Sequence, residues 1–171
     1  MQQDNDAQEM AFVALGSNLG DSAEIIRRAF DRLQTLSTKP LLRSSLWRTT
    51  PVDCPPGSPP FVNAVAGLRP RAEETPQSLL RRLQVLEAEF GRRRGNMPNE
   101  ARLLDLDLIA FGARTVSRPG LVLPHPRAHL RRFVLQPLAE IAPDFVLPGQ
   151  AKGAKALLDE LSNMEVMVKL E

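Results

Sequence analysis

Two aspartates sit in the run Leu104-Asp105-Leu106-Asp107-Leu108. On a strand, residues two apart share a face. Asp105 and Asp107 therefore project together, while Leu104, Leu106 and Leu108 turn into the core. Neighbouring carboxylates repel, and a hard divalent cation relieves that repulsion. Mg²⁺ binds through one or two carboxylates together with the phosphates of a substrate. The competing reading is an exposed polar strand face, but Asp is depleted in strands, so two inside an apolar run favour a metal. Just upstream lie Arg92, Arg93 and Arg94, with Arg102 leading into the aspartates and Arg81 and Arg82 nearby. An arginine run alone is most often a solvated face. Beside metal-binding carboxylates it has another use, because the guanidinium fork grips phosphate oxygens with paired hydrogen bonds. Carboxylates for Mg²⁺ next to arginines for phosphate is what phosphoryl transfer needs, where the protein positions groups and neutralises charge.

His125 lies in Leu123-Pro124-His125-Pro126-Arg127, between two prolines that stiffen the backbone. A lone histidine is more often a structural hydrogen-bonding residue than a catalytic one. Arg127, Arg131 and Arg132 make a second basic group around it, whereas His129 has no supporting pattern. Gly16-Ser17-Asn18-Leu19-Gly20 follows an apolar run, but it lacks the spacing and the lysine of a P-loop.

The elements that position these residues follow from periodicity and punctuation. Residues 11–15 form an apolar run ended by Gly16, a buried strand. A helix is predicted over residues 22–36, capped by Asp21 or Ser22, with Ile26, Ala29, Phe30, Leu33 and Leu36 on its apolar face. Residues 41–48 read as a second strand and 61–69 as a third. The proline-dense stretch 49–60 between them is a loop. Thr75-Pro76 is a strong helix start, Leu79, Leu83, Leu86 and Phe90 mark one face, and Gly91 stands where a C-terminal glycine belongs. Residues 92–102 are a long basic loop. Residues 103–111 read as a fourth strand and 114–124 as irregular. Residues 130–141 read as partly helical with a break near Pro137. A last helix is expected over 152–161, with Ala156, Leu157 and Leu161 on its face. The order is βαββαβ followed by helices. That predicts an α+β fold: a ferredoxin-like core with one antiparallel sheet, both helices on one side, and extra C-terminal helices.

The composition narrows the function. With 171 residues the chain fits one domain, set at residues 10–171 behind a flexible tail at 1–9. Tyr is absent and aromatics are 5%, so the core must be aliphatic. A formal charge of +2 with clustered arginines suits a specific anion site better than a broad nucleic-acid surface. An RNA-binding module of this topology needs exposed aromatics on its sheet, and Trp47 is the only Trp. A single cysteine, Cys54, excludes an intramolecular disulfide. The start of the chain lacks a secretory pattern, and no apolar run is long enough to span a bilayer. The expectation is a cytoplasmic monomer with no membrane or nucleic-acid partner.

Taken together, several segments resemble one family, the 6-hydroxymethyl-7,8-dihydropterin pyrophosphokinases of folate biosynthesis. They are Ala14-Leu15-Gly16-Ser17-Asn18-Leu19-Gly20-Asp21, Phe61-Val62-Asn63-Ala64, Leu86-Glu87-Ala88-Glu89-Phe90-Gly91-Arg92, Leu104 through Ile109, and Pro124-His125-Pro126-Arg127 continuing through Arg131-Arg132-Phe133-Val134-Leu135 to Pro143. Each is modest alone; their order and spacing are specific.

The resemblance implies a reaction in which the pterin hydroxymethyl oxygen attacks the β-phosphorus of ATP and AMP leaves. It implies two Mg²⁺ ions at Asp105 and Asp107, with ATP as co-substrate. It makes Asn63 the reader of the pterin edge and Phe133 the ring that stacks on the pterin, with Thr49 and Val52 in the loop lining that pocket. Gln84, Glu87, Arg94, Arg102, Leu108, His125 and Arg131 match nucleotide contacts, and Arg92 and Arg102 match the catalytic-loop arginines. Stacking plus an amide is a sensible way to hold a flat heterocycle. The sequence departs from the family in one place. Where the family carries Arg-Trp-Gly-Pro-Arg, this chain has Pro98-Asn99-Glu100-Ala101-Arg102. The final arginine is kept and the tryptophan is replaced by Asn99. That leaves a second reading: a relative that binds pterin or nucleotide with low or changed activity.

Overall fold

The computed structural model describes residues 9–49, 56–91, 103–162 and 165–170. Its centre is an antiparallel sheet. Strands β1 (Ala11–Ser17), β3 (Trp47–Thr49), β4 (Phe61–Leu68) and β5 (Asp105–Phe111) run in the order β5-β1-β4-β3, and β8 (Met167–Lys169) extends the β3 edge. The short β2 (Leu42–Arg43) pairs with β4 beyond β3. Helices α1 (Ser22–Gln34) and α2 (Pro76–Glu89) supply the two crossovers. This is the expected βαββαβ core.

Both crossover helices lie on one face because the strands alternate. Ala11, Val13 and Leu15 of β1, Ala64, Ala66 and Leu68 of β4, and Leu106 and Leu108 of β5 turn toward Ile26, Phe30, Leu33, Leu79 and Leu83. Each buried leucine there contributes about 2 kcal/mol of hydrophobic stabilisation. The helix ends follow the sequence signals. The Asp21 side chain accepts from Glu24 N–H. Thr75 caps α2 in a reciprocal box with Ser78, and Gly91 takes φ +83° just past the helix end.

The opposite face is covered over only part of its length. Phe12, Val65 and Ile109 pack there under Val134, Leu135 and Leu138 of α3 (Arg132–Ile141), Phe145, and Leu158 of α4 (Ala154–Glu160). The Phe12 and Phe145 rings meet with centroids 4.6 Å apart. The aspartates share this second face but lie toward the strand ends beyond that packing.

Four expectations need correction. The strand at 41–48 is two short strands. Between them Ser44 holds on to β4 with its N–H donating to Val65 O (3.0 Å) and its hydroxyl accepting from Val65 N–H (2.9 Å). A side chain has replaced a rung of the backbone ladder. The irregular stretch 114–124 contains a hairpin, β6 (Val116–Arg118) and β7 (Leu121–Leu123). Pro119-Gly120 turns it, with Gly120 at φ +83° as a tight turn of this kind requires. Helix α3 runs through Pro137 without ending. Pro137 is the sixth of the ten residues of α3, where its missing N–H removes one intrahelical bond, and it is buried in the core. Finally, α4 buries Ala154 and Leu158, with Leu157 and Leu161 partly buried against the same core, and of the expected face only Ala156 is exposed. Strand β8 has no counterpart among the sequence expectations.

Candidate active site

One rung of the sheet carries most of the polar chemistry. Trp47 of β3 pairs with Asn63 of β4, Asn63 with Gly16 of β1, and Gly16 with Asp105 of β5. Paired residues of antiparallel strands put their side chains on one face. In the next layer Val65 pairs with Ala14, and Ala14 with Asp107. Asn63 and Asp105 are therefore separated by the width of β1, two strand spacings or about 10 Å. Both aspartates are half-buried, and Leu104, Leu106 and Leu108 are buried on the other face. That is the alternation expected from the sequence.

The residues between the polar groups are small. Gly16 and Ala14 put little side-chain bulk between Asn63 and the two carboxylates. At Gly16 a Cβ would come 3.2 Å from Asn63 Oδ1, tighter than an ordinary contact. The Asn63 amide is fixed in place, its Nδ2–H donating to Thr49 Oγ1 at 2.7 Å. Both residues are buried, so the hydroxyl fixes where the amide points.

Among the described residues no group of three or more His, Cys, Asp or Glu is arranged to hold a metal by itself. Two carboxylates on one face, with small neighbours, still fit Mg²⁺. That ion keeps several waters and takes its remaining ligands from substrate phosphates rather than from a closed protein cage.

His125 reaches this face through a bulge. Phe12 pairs with Ala110 and Val13 with Leu108, so Ile109 is an extra residue on β5. The Ile109 carbonyl accepts from His125 N–H at 2.8 Å. The imidazole Nδ1 in turn accepts from Arg127 N–H at 3.2 Å, which leaves the proton of the neutral ring on Nε2. Burial pushes the His125 pKa below its ordinary value. The charges of Arg131 and Arg127 push it the same way, and Asp105 opposes them. Asp105, His125, Arg127 and Arg131 thus share one electrostatic neighbourhood.

Phe133 stands in the first turn of α3, partly buried at the edge of the second core. The Arg131 guanidinium lies 5.3 Å from its ring centroid, a cation–π contact. Thr49, Asn63, Asp105, Asp107, His125, Arg131 and Phe133 are all carried by β3, β4, β5, the segment after β7, and the start of α3. Gln84, Glu87 and Leu108 are placed differently. Leu108 is buried in the core beneath α1 and α2, Glu87 is buried on α2, and Gln84 is exposed on that helix. Val52, Arg92, Arg94 and Arg102 lie outside the described residues, as does Asn99.

Two residues that the sequence reading passed over belong to this neighbourhood. Trp47 shares the rung of Asn63, and Glu140 of α3 accepts its indole N–H at 2.6 Å. The available signal was strand periodicity: Trp47 is two residues before Thr49 and so shares its face. Nothing local marks Glu140, whose partners are 93 and 95 residues away.

The sequence and the fold both match known proteins. Residues 12–143 match the family model described as 7,8-dihydro-6-hydroxymethylpterin-pyrophosphokinase. The chain is 40% identical over 141 residues to the 2-amino-4-hydroxy-6-hydroxymethyldihydropteridine pyrophosphokinase of Pseudomonas aeruginosa, covering 82% of this chain and 85% of that one. It is 40% identical over 139 residues to the Haemophilus influenzae protein of the same name, covering 81% and 84%. Among solved structures, a Plasmodium falciparum HPPK-DHPS triple mutant with pteroate superposes with TM-score 0.69 at 12% identity. That match spans 88% of this chain and 43% of the other, and at such identity it bears on the fold alone.

Proposed function

The chain belongs to the 7,8-dihydro-6-hydroxymethylpterin-pyrophosphokinase family, and from that premise we propose that it transfers pyrophosphate from ATP to 6-hydroxymethyl-7,8-dihydropterin in folate biosynthesis. The hydroxymethyl oxygen attacks the β-phosphorus. A new O–P bond forms, the bond from that phosphorus to the AMP oxygen breaks, the hydroxyl proton is lost, and AMP leaves.

The observation that carries this reading is the Asn63–Gly16–Asp105 rung. It sets an amide suited to a heterocycle edge about 10 Å from a carboxylate pair suited to Mg²⁺, with only Gly16 between them in the rung. Asn63 and Thr49 read the pterin edge, and Phe133 and the loop containing Val52 enclose its faces. Asp105 and Asp107 hold two Mg²⁺ ions, which when bound neutralise phosphate charge and screen the carboxylates from each other. Neutral His125 presents its Nε2–H to the nucleotide, beside the positive charge of Arg131. Arg94 adds a further nucleotide contact, whereas the buried Leu108 side chain and the α2 residues Gln84 and Glu87 lie on the other side of the sheet from the aspartates. Arg92 and Arg102 bring positive charge to the transferring group.

Every residue in this scheme comes from one chain, so a monomer suffices, with residues 10–171 as one catalytic domain. The cytoplasm supplies its ATP and Mg²⁺. Among the described residues no helix is long and apolar enough to cross a membrane.

The test is AMP formation from ATP, with pterin and Mg²⁺ each omitted in turn. AMP that requires both supports the assignment. Pterin binding without AMP would favour the second reading, a relative whose loop at Pro98-Asn99-Glu100-Ala101-Arg102 has lost its catalytic task. Neither AMP nor pterin binding would overturn both.

A further inference from the structure

Trp47 has no role in the scheme above, yet it stands in the rung of Asn63, Gly16 and Asp105. Its Cα partner is Asn63, so its Cβ lies about 5 Å from that of Asn63 on the same face. The indole is half-buried, and its N–H donates to Glu140 Oε1 at 2.6 Å. The other carboxylate oxygen, Oε2, accepts from Ser45 N–H (3.3 Å) and Ser45 Oγ (2.7 Å). Both oxygens of one glutamate are thus directed at β3 and the residue two before it. That glutamate sits on α3, the helix whose first turn carries Phe133. Seven residues separate Phe133 and Glu140, about two helical turns, which returns them to one side of the helix. Glu140 therefore ties the end of α3 to β3, while Val134, Leu135 and Leu138 hold the helix on the sheet.

The geometry points to Trp47 as a side wall of the pterin pocket, held beside Asn63 by Glu140, which acts as a positioning residue. The inference rests on the pterin reading above and deepens it. A flat heterocycle needs apolar surface around it and a polar reader at its edge. An indole whose N–H is already bound to a carboxylate offers only its apolar surface, and leaves the polar edge of the ligand to Asn63. Without Glu140 the ring is free to turn. Its N–H then competes with the Asn63 amide for the same acceptors on the ligand.

Calorimetry on the full chain with α,β-methylene-ATP present tests this, since that analogue cannot break at the bridge the reaction cleaves. Titration with 6-hydroxymethyl-7,8-dihydropterin is expected to show affinity about tenfold weaker in Glu140→Gln, the size of one lost hydrogen bond to a charged group. In Trp47→Phe, which keeps an aromatic ring and guards against misfolding, a loss of about threefold is expected. Affinity for the ATP analogue should stay within about twofold in both, as a tie that only holds the fold together would weaken both ligands alike. Trp47 is the sole tryptophan, so its emission should also shift in Glu140→Gln before any ligand is added. Unchanged pterin affinity in both variants, or equal losses for the two ligands, would overturn the inference while leaving the activity standing. A wild-type chain that neither binds the pterin nor makes AMP would remove the premise itself.

Discussion

The Asn63 amide oxygen lies over the α-carbon of Gly16, close enough that a Cβ there would approach it to 3.2 Å. The amide cannot move aside freely, because its nitrogen donates to Thr49 Oγ1 at 2.7 Å in a buried setting. The glycine is needed for close approach and not for an unusual backbone angle, since it is an ordinary strand residue paired on both sides. What looks in the sequence like the start of a phosphate loop is, at its first glycine, the floor on which a polar side chain rests.

Gly16→Ala should therefore act on the pterin and not on the nucleotide. The added methyl displaces the amide and strains or breaks its bond to Thr49. Pterin affinity should fall about tenfold, with a stability loss of about 1–3 kcal/mol from overpacking. Calorimetry and thermal melting read the two effects separately. Unaltered pterin affinity would mean that Asn63 does not touch the ligand.

Asp105→Asn and Asp107→Asn should each lower turnover by about two orders of magnitude or more, the scale of losing a principal electrostatic group. Asparagine keeps the size and shape of each aspartate, so the melting temperature without Mg²⁺ should change by no more than a few degrees. Chelation should abolish AMP formation by the wild type. Loss of turnover together with a larger fall in melting temperature would point to a structural role instead.

A control away from the site is Thr75→Ala. Thr75 Oγ1 accepts from Ser78 N–H at 3.1 Å, and Ser78 Oγ accepts from Thr75 N–H at 2.9 Å. Losing the cap should cost about 1 kcal/mol, or about 2–4 °C in melting temperature. kcat/KM should not change. A fall in kcat/KM larger than the fall in folded fraction would show that α2 transmits strain to the site.

Much of this was legible because local rules and the global fold agree. The leucines around Asp105 and Asp107 alternate as a half-buried strand must, and Thr75-Pro76 through Gly91 carries both helix ends in its residue types. The misreadings have physical causes. Ser44 splits a strand by using its hydroxyl as a ladder acceptor, which no periodicity reveals. Pro119-Gly120 is a turn signal that was available and passed over. Pro137 breaks helices in general, but here tertiary burial outweighs one lost hydrogen bond. Glu140 and Trp47 meet only because α3 folds back over β3, a contact invisible to any local window.

His125 gives the prediction with the clearest sign. Burial disfavours its charged form, Arg131 and Arg127 add to that, and Asp105 opposes them, so the folded pKa lies below the ordinary value. The neutral form also suits the contact in which Nδ1 accepts from Arg127 N–H at 3.2 Å. A group whose folded pKa is depressed binds fewer protons when folded than when unfolded. Its contribution is fully present above the unfolded value of about 6.5 and is lost as pH falls through the folded value. Glu165 shifts the other way: burial raises its pKa despite Arg132 and Arg131, so its contribution is lost as pH rises through its raised folded value. The two slopes oppose each other, and only a difference between proteins separates them. Melting temperatures of wild type and His125→Gln, taken from about pH 7.5 down to about 5.5, should diverge progressively. The wild type should lose stability that the variant, with no imidazole to protonate, retains. Parallel curves would place His125 in water, ungoverned by the arginines beside it.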